Sequence, residues 1–262
     1  MVVLSPPHPA LTLKRKTMVK VASKEGERVP SCTFPCRVNN KWIKLSTEDI
    51  FKGRRIVLFS LPGAFTPTCS SSHLPRYEEL TPTLKQNGID DVYCMSVNDT
   101  FVMNAWAKDQ KLKHVKVIPD GSGDFSRGMG ALVDISEDGF GHRSWRYSML
   151  VEDGVIKKQF IEPDKEGDPF EVSDADTMLN YINPEAKKPD FVTVFAKPGC
   201  PFCAKAKAML KDHGMEWEEI VIGDEITSKT LRAMTGRSTV PQVFIGGKLI
   251  GGSTDLEEYF KK

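Results

Sequence analysis

The chain has 262 residues, 40% of them apolar and 27% charged, which suits one large domain or two ordinary ones with a proper core. With 36 basic against 35 acidic residues the net charge is +1, so no basic surface calls for nucleic acid. No apolar run approaches the roughly 18 residues of a membrane span, so no membrane partner is expected.

The first acidic residue is Glu25, preceded by Lys14, Arg15, Lys16, Lys20 and Lys24. Acid-free basic starts occur in transit peptides, but Pro6, Pro7 and Pro9 would break an amphipathic helix here, and the apolar core of a secretory signal is missing. Residues 1–24 therefore read as a disordered basic extension, with Met18 as an alternative start. Arg55–Leu61 (RIVLFSL) is a buried strand bounded by charge and Pro62, and a helix follows it. Val92–Val97 is a second buried strand, and Asp99 caps a helix over Thr100–Lys111. Tyr147–Val151 and Val155–Ile161 flank a hairpin turn at Asp153-Gly154. These elements place a first domain over residues 25–182. NPEAKKPD, over 183–190, is charged, holds two prolines and lacks large apolar residues, so it reads as a linker. A second domain over 191–262 runs strand Phe191–Phe195, helix from Cys200-Pro201 to before Gly214, strand Trp217–Ile222, helix Ser228–Met234, a hairpin on Gly246-Gly247, and a helix from about Thr254. That βαβαββα order is the thioredoxin-fold order. The fold class expected is α/β, with two thioredoxin-fold domains.

Six cysteines, Cys32, Cys36, Cys69, Cys94, Cys200 and Cys203, are too few for a disulfide scaffold of this length. A C-x-x-C pair within a βαβ pattern points instead to redox chemistry in a reducing, cytoplasmic compartment. Pro62-Gly-Ala-Phe-Thr66-Pro67-Thr-Cys69 lies between a buried strand and a helix, with Thr66 at the N-cap and Pro67 at the first helical position. Cys69 then sits in the first turn, where free N–H groups and the positive dipole end favour a thiolate, the form that attacks a peroxide bond. A thiol made more acidic gains thiolate but loses nucleophilicity, so a fast peroxidase also needs a cation and donors at the departing oxygen.

The segment PGAFTPTCSSSHLP closely resembles the active-site segment of the type 5/type II peroxiredoxins, and the likeness continues through Ser96–Trp106, Asp120-Gly-Ser-Gly and Arg143-Ser-Trp-Arg146-Tyr-Ser-Met. The resemblance implies that Cys69 is the peroxidatic cysteine, that Thr66 bonds the thiolate and the substrate oxygen, and that Arg146 supplies the cation rather than a surface ion pair. His73, one turn past Cys69, reads as a packing or polar-shell residue in preference to a catalytic acid. Animal-like type 5 enzymes carry a resolving cysteine a few residues after a segment like Glu162-Pro163-Asp164; here Phe170 stands in the equivalent place. Plant-like type II enzymes place a second cysteine at Cys94, although a small filler in a buried strand is the favoured reading of that residue. Cys32 and Cys36 read as structural.

In the second domain, Lys197-Pro-Gly-Cys200-Pro201-Phe202-Cys203 opens a helix, so the dipole and Lys197 both favour a Cys200 thiolate, and Cys203 is placed to close a disulfide with it. No second C-x-x-C or paired His stands at ligand spacing, so no metal is expected. This segment, with Thr239-Val240-Pro241 and Gly251-Gly252-Ser253-Thr254-Asp255, resembles the dithiol glutaredoxins. The resemblance implies a cis Pro241, glutathione paired along Thr239 and Val240, and its carboxylates met by Lys197 and by the helix start at Gly252, Ser253 and Thr254. The two modules together resemble the bacterial peroxiredoxin–glutaredoxin hybrids. The implied function is a glutathione-dependent peroxidase acting on hydrogen peroxide and small alkyl hydroperoxides, with no tightly bound cofactor, glutathione as co-substrate and a homo-oligomeric state. A general glutathione-disulfide oxidoreductase with a peroxide-sensing arm and a redox-switched chaperone remain open alternatives.

Overall fold

The computed structural model of the protein describes residues 20–165 and 167–261. Two compact units divide it, Met1–Lys187 and Lys188–Lys262. The first unit runs β1 (Thr33–Val38), β2 (Lys41–Ser46), α1 (Thr47–Phe51), β3 (Arg55–Ser60), α2 (Leu74–Gln86), β4 (Asp91–Ser96), α3 (Thr100–Asp109), β5 (Lys116–Pro119), α4 (Asp124–Gly128), β6 (Leu132–Asp134), β7 (His142–Ser144), β8 (Tyr147–Glu152), β9 (Val155–Ile161) and α5 (Ala175–Ile182). Its main sheet has the order β5-β4-β3-β8-β9, with β3 parallel to β4 and antiparallel to β8.

The central strand β3 is apolar from Ile56 to Phe59 because both of its faces are covered there. Ile56 and Leu58 enter one core with Phe34, Met95, Phe125 and Tyr147. Val57 and Phe59, pointing the other way by the two-residue period, enter a second core with Cys69, Leu74, Tyr77, Cys94 and Trp106. Each fully buried side chain of this size contributes roughly 1.5–3 kcal/mol against exposure. Asp99 caps α3 by accepting from the Phe101 and Val102 N–H groups. The β8–β9 turn holds Asp153 at φ 46° and Gly154 at φ 77°, a left-handed pair that suits a two-residue hairpin. The positive φ is what calls for glycine at the second position; a Cβ there would also meet the end of the Arg28 side chain (Nη2 at 2.9 Å), which can move aside.

Of the basic extension expected over residues 1–24, positions 1–19 lie outside the described residues. Positions 20–24 do not continue a disordered tail. Val21 packs against the core, and the Lys24 N–H donates to Gln159 Oε1 at 2.9 Å, because the β9 edge offers both an apolar neighbour and an acceptor. At the other end, Asn183 donates from its backbone to Leu179 O and from its side chain to Asn87 Oδ1 (2.7 Å), and Ala186 packs on the same core. The opening of the segment read as a linker is thus seated on the first unit.

The second unit runs β10 (Val192–Ala196), α6 (Pro201–Asp212), β11 (Glu218–Val221), α7 (Ser228–Thr235), β12 (Gln242–Ile245), β13 (Lys248–Gly251) and α8 (Ser253–Phe260). Its sheet has the order β11-β10-β12-β13, with β10 parallel to β11 and antiparallel to β12. Val192, Val194 and Ala196 pack with Cys203, Leu210, Val243 and Leu256, while Phe195 turns to Ile222 and Leu231 on the opposite face. Among the described residues, no helix is long and apolar enough to cross a membrane.

Candidate active sites

The chain leaves β3 at Ser60 and reaches the Cys69 turn through a loop pinned from the side. The Ala64 N–H donates to Asn98 Oδ1 at 3.1 Å, and Phe65 is held at φ 63°. Gly63 lies so close to this loop that a Cβ would meet Thr66 Cγ2 at 3.2 Å. The helix begins at Pro67, as the sequence indicated, and Cys69 falls in its first turn. That turn is wide: from Cys69 to His73 it is π-helical, and the Leu74 N–H reaches back to Cys69 O. The indole N–H of Trp106 donates to Ser70 Oγ at 3.0 Å and steadies the wide turn. Cys69 is fully buried.

Thr66 sits where it was expected but with its proton already committed. Its hydroxyl donates to Gly63 O at 2.9 Å, so towards Cys69 and the adjoining cavity it offers lone pairs only. It can accept an O–H; it has no proton left for a thiolate.

Arg146 stands immediately before β8 and is 1% exposed. Nη1 donates to His73 Nδ1 at 3.1 Å, and Nη2 donates to both carboxylate oxygens of Asp168 at 2.5 and 2.6 Å. Nε has no hydrogen-bond partner among the described residues. Burial works against the guanidinium charge, but the neighbouring Cys69 sulfur and Asp168 outweigh it and push the Arg146 pKa up.

His73 is packed among Phe59, Tyr77 and Phe170, and its Nε2 donates to Ser173 O at 3.2 Å. Burial first, and then the Arg146 charge, hold its pKa well below the ordinary imidazole value. The ring is neutral, which is what lets Nδ1 accept from Arg146. His73 therefore belongs to the polar shell and orients the guanidinium. Behind it, buried Glu162 accepts from the N–H groups of Glu171, Val172 and Ser173 and from the Ser173 hydroxyl.

A cavity of about 250 Å³ opens beside this group, lined by Thr66, Pro67, Thr68 and Arg146 and by Val133, Ile135, Phe140, Trp145 and the 167–169 loop. A buried thiol, a fixed guanidinium with its Nε–H unpaired, and a hydroxyl able to accept together suit attack on an O–O bond with stabilisation of the departing oxygen. Cys94 pairs with Phe59 across the sheet and is buried on the Cys69 side. Burial first, and the nearby Cys69 second, push its thiol well above the ordinary value, as fits the filler reading. Cys36 is in the core and Cys32 packs partly against it.

In the second unit, Cys200 is the N-cap of α6 and its Sγ accepts from the Cys203 N–H at 3.3 Å. Burial opposes ionisation here, but the hydrogen bonds from Cys203 and Phe202 and the Lys207 charge carry the Cys200 pKa below the ordinary thiol value. Cys203, buried and facing Cys200, is pushed up to about 11. The sequence pointed to Lys197 as the helping cation. The structure adds Lys207, and Lys197 approaches the pair through its backbone, accepting from the Cys200 N–H at 3.3 Å. The Val240–Pro241 bond is cis, and Val240 O lies 3.9 Å from Cys200 Sγ. Thr239 O accepts from the Gln242 side chain at 2.9 Å. At α8 the Gly252 N–H donates to Asp255 Oδ2 at 2.7 Å, so Gly252 has no N–H to give a ligand; Ser253 and Thr254 begin the helix beyond it.

The roles of Asp168, Asn98 and Lys207 were not anticipated from the sequence, and Glu162 stood there only as a landmark. Asn98 lies within the Ser96–Trp106 segment and could have been found there. Asp168 lies in a loop without periodicity and carried no signal.

Known proteins bear on both units. The Redoxin family model matches residues 24–179 and the Glutaredoxin model residues 192–250. The chain is 58% identical to the hybrid peroxiredoxin hyPrx5 of Haemophilus influenzae, over 92% of this chain and 100% of that one. It is 55% identical to peroxiredoxin sll1621 of Synechocystis, over 60% of this chain and 89% of the other. Among solved structures, reduced Prx3 of Vibrio vulnificus in complex with hydrogen peroxide superposes with a TM-score of 0.58 at 36% identity, over 62% of this chain and 100% of that one. The chain therefore belongs to the peroxiredoxin–glutaredoxin hybrids, thiol peroxidases of thioredoxin fold that carry a glutaredoxin domain on the same polypeptide.

Proposed function

We propose that this protein reduces hydrogen peroxide and small alkyl hydroperoxides at Cys69 and takes its electrons from glutathione through Cys200. The observation that carries the reading is the guanidinium of Arg146: buried, held on two sides, with Nε unpaired, near the Cys69 sulfur and lining the same cavity as Thr66.

The Cys69 thiolate attacks one peroxide oxygen. The S–O bond forms as the O–O bond breaks, and the other oxygen leaves as water or an alcohol after taking a proton, with Arg146 stabilising the charge that develops on it. Thr66 accepts the substrate O–H and so aligns the attack. Glutathione then condenses with the sulfenic acid, releasing water and leaving Cys69 joined to the glutathione sulfur. The Cys200 thiolate attacks that glutathione sulfur and frees Cys69. A second glutathione releases oxidised glutathione and restores Cys200, with Cys203 as auxiliary. Cys200 is suited to this because it ionises more readily than its neighbour. Glutathione lies along Thr239, Val240 and Pro241, with Lys197 and the α8 start at Ser253 and Thr254 for its carboxylates; Gly252 contributes close approach rather than an N–H. Tethering both modules on one chain holds the reductase at an effective concentration of about millimolar. The setting is the reducing cytoplasm, as a C-x-x-C redox pair in place of a disulfide scaffold suggests, and the working form is a homo-oligomer.

The test is Cys200→Ser in the full chain. Stoichiometric oxidation of Cys69 by peroxide should survive, while glutathione-supported turnover, followed with glutathione reductase and NADPH, should be lost. Loss of the first oxidation in this variant would overturn the division of labour.

A further inference from the structure

The peroxide cavity has a graded wall. Its floor is made by Ser144, Trp145 and Arg146, all buried, and its rim by exposed residues that include Asp138 and Asp168. Arg146 is the one cation among the described residues that line it. That cation is already answered by Asp168, whose two oxygens lie on Nη2 at 2.5 and 2.6 Å. Among the lining residues Arg146 is outnumbered by Asp168 and Asp138, so the cavity is anionic, and the Cys69 thiolate that reacts beside Arg146 adds to this. Apart from Thr66 and Thr68, its remaining wall is largely apolar: Val133, Ile135, Phe140 and the proline rings.

Resting on the reading that Cys69 meets the hydroperoxide, we infer that Asp168, with Asp138, makes this a peroxidase for uncharged hydroperoxides and turns away those carrying a carboxylate. Asp168 acts through Arg146, as a positioning and specificity-determining residue. By holding Nη2 it leaves Nε for the substrate, and its charge cancels the attraction that a lone buried arginine would exert on any anion. A neutral alkyl or aryl hydroperoxide loses nothing to this field and gains from the apolar wall. A second negative charge within the cavity meets repulsion from two rim carboxylates and the adjoining thiolate, a repulsion that water and salt at the exposed rim weaken.

The measurement is a ratio. Pre-steady-state oxidation of Cys69 is followed with the para-carboxylate of cumene hydroperoxide and with its methyl ester, on the intact protein, on Asp168→Asn, Asp168→Glu and Asp138→Asn. Taking the ratio of the two rate constants removes any change in the thiol itself. The native protein should favour the ester by roughly three- to thirtyfold at low salt. Salt should narrow that gap by raising the rate of the carboxylate alone. Asp168→Asn should lower the preference at least about threefold, Asp138→Asn should lower it by less, and Asp168→Glu should keep it. The inference is overturned if the preference is unaltered in Asp168→Asn, or shifts equally in Asn and Glu, since geometry and not charge would then be at work. Should Asp168→Asn fold poorly, the salt dependence of the native protein decides alone, and a carboxylate rate that ignores salt overturns the inference. A native protein that oxidises Cys69 with neither probe would overturn the functional reading itself, which is a separate outcome.

Discussion

Arg146 Nη1 donates to His73 Nδ1 at 3.1 Å, a bond that exists only while the imidazole is unprotonated. The ring has its pKa depressed by burial and by the arginine, so folding favours its neutral form. The stability this contributes is fully present above the unfolded imidazole value of about 6.5 and is lost as pH falls from there towards the folded pKa. We predict that the unfolding free energy drops by up to about 1.4 kcal/mol per pH unit below about pH 6.5, and that His73→Gln lacks this component. Urea midpoints of both proteins between about pH 5 and 7.5 test it. Equal slopes would mean that folding leaves the His73 pKa unshifted.

Replacing Arg146 by Lys keeps a positive charge but loses the fork. One ammonium cannot reach His73 and Asp168 and still direct a donor at the departing oxygen. The rate of Cys69 oxidation should fall roughly a hundred- to a thousandfold, read by stopped-flow tryptophan fluorescence. A fall of less than about tenfold would show that charge alone is sufficient.

The second site separates its two sulfurs by acidity. Cys200 lies below the ordinary thiol range and Cys203 at about 11. Peptide-resolved alkylation with iodoacetamide at neutral pH should label Cys200 and leave Cys203, which reacts only as pH approaches its higher value. Cys203→Ser should retain glutathione-supported turnover, because the proposed cycle needs only the outer sulfur. Loss of turnover in that variant would make an intramolecular disulfide obligatory.

Glu162 ties the 171–173 backbone, and Ser173 O in turn holds His73. Glu162→Gln replaces one acceptor oxygen by an amide donor facing N–H groups. It should cost roughly 1.5–3 kcal/mol in urea unfolding, with slower Cys69 oxidation as Arg146 loses its alignment. Unchanged stability would mean that the 171–173 N–H groups find other acceptors and do not depend on Glu162.

The sequence by itself determined the two thioredoxin-fold units and the places of their reactive sulfurs. Cys69 and Cys200 each stand where a strand hands over to a helix, and strands, prolines and helix starts are set by neighbours a few positions apart. The same local logic made the Asp153-Gly154 turn and the Asp99 cap legible. What only the tertiary structure decided is the state of the groups around the first sulfur. His73 reaches Arg146 across 73 positions of chain, and Asp168 reaches it across 22. Thr66 and Cys69 were visible, but that the Thr66 proton is committed to Gly63, that His73 is neutral, and that Arg146 is already half answered by a carboxylate all depend on distances and desolvation that appear only once the sheet has closed and water has left.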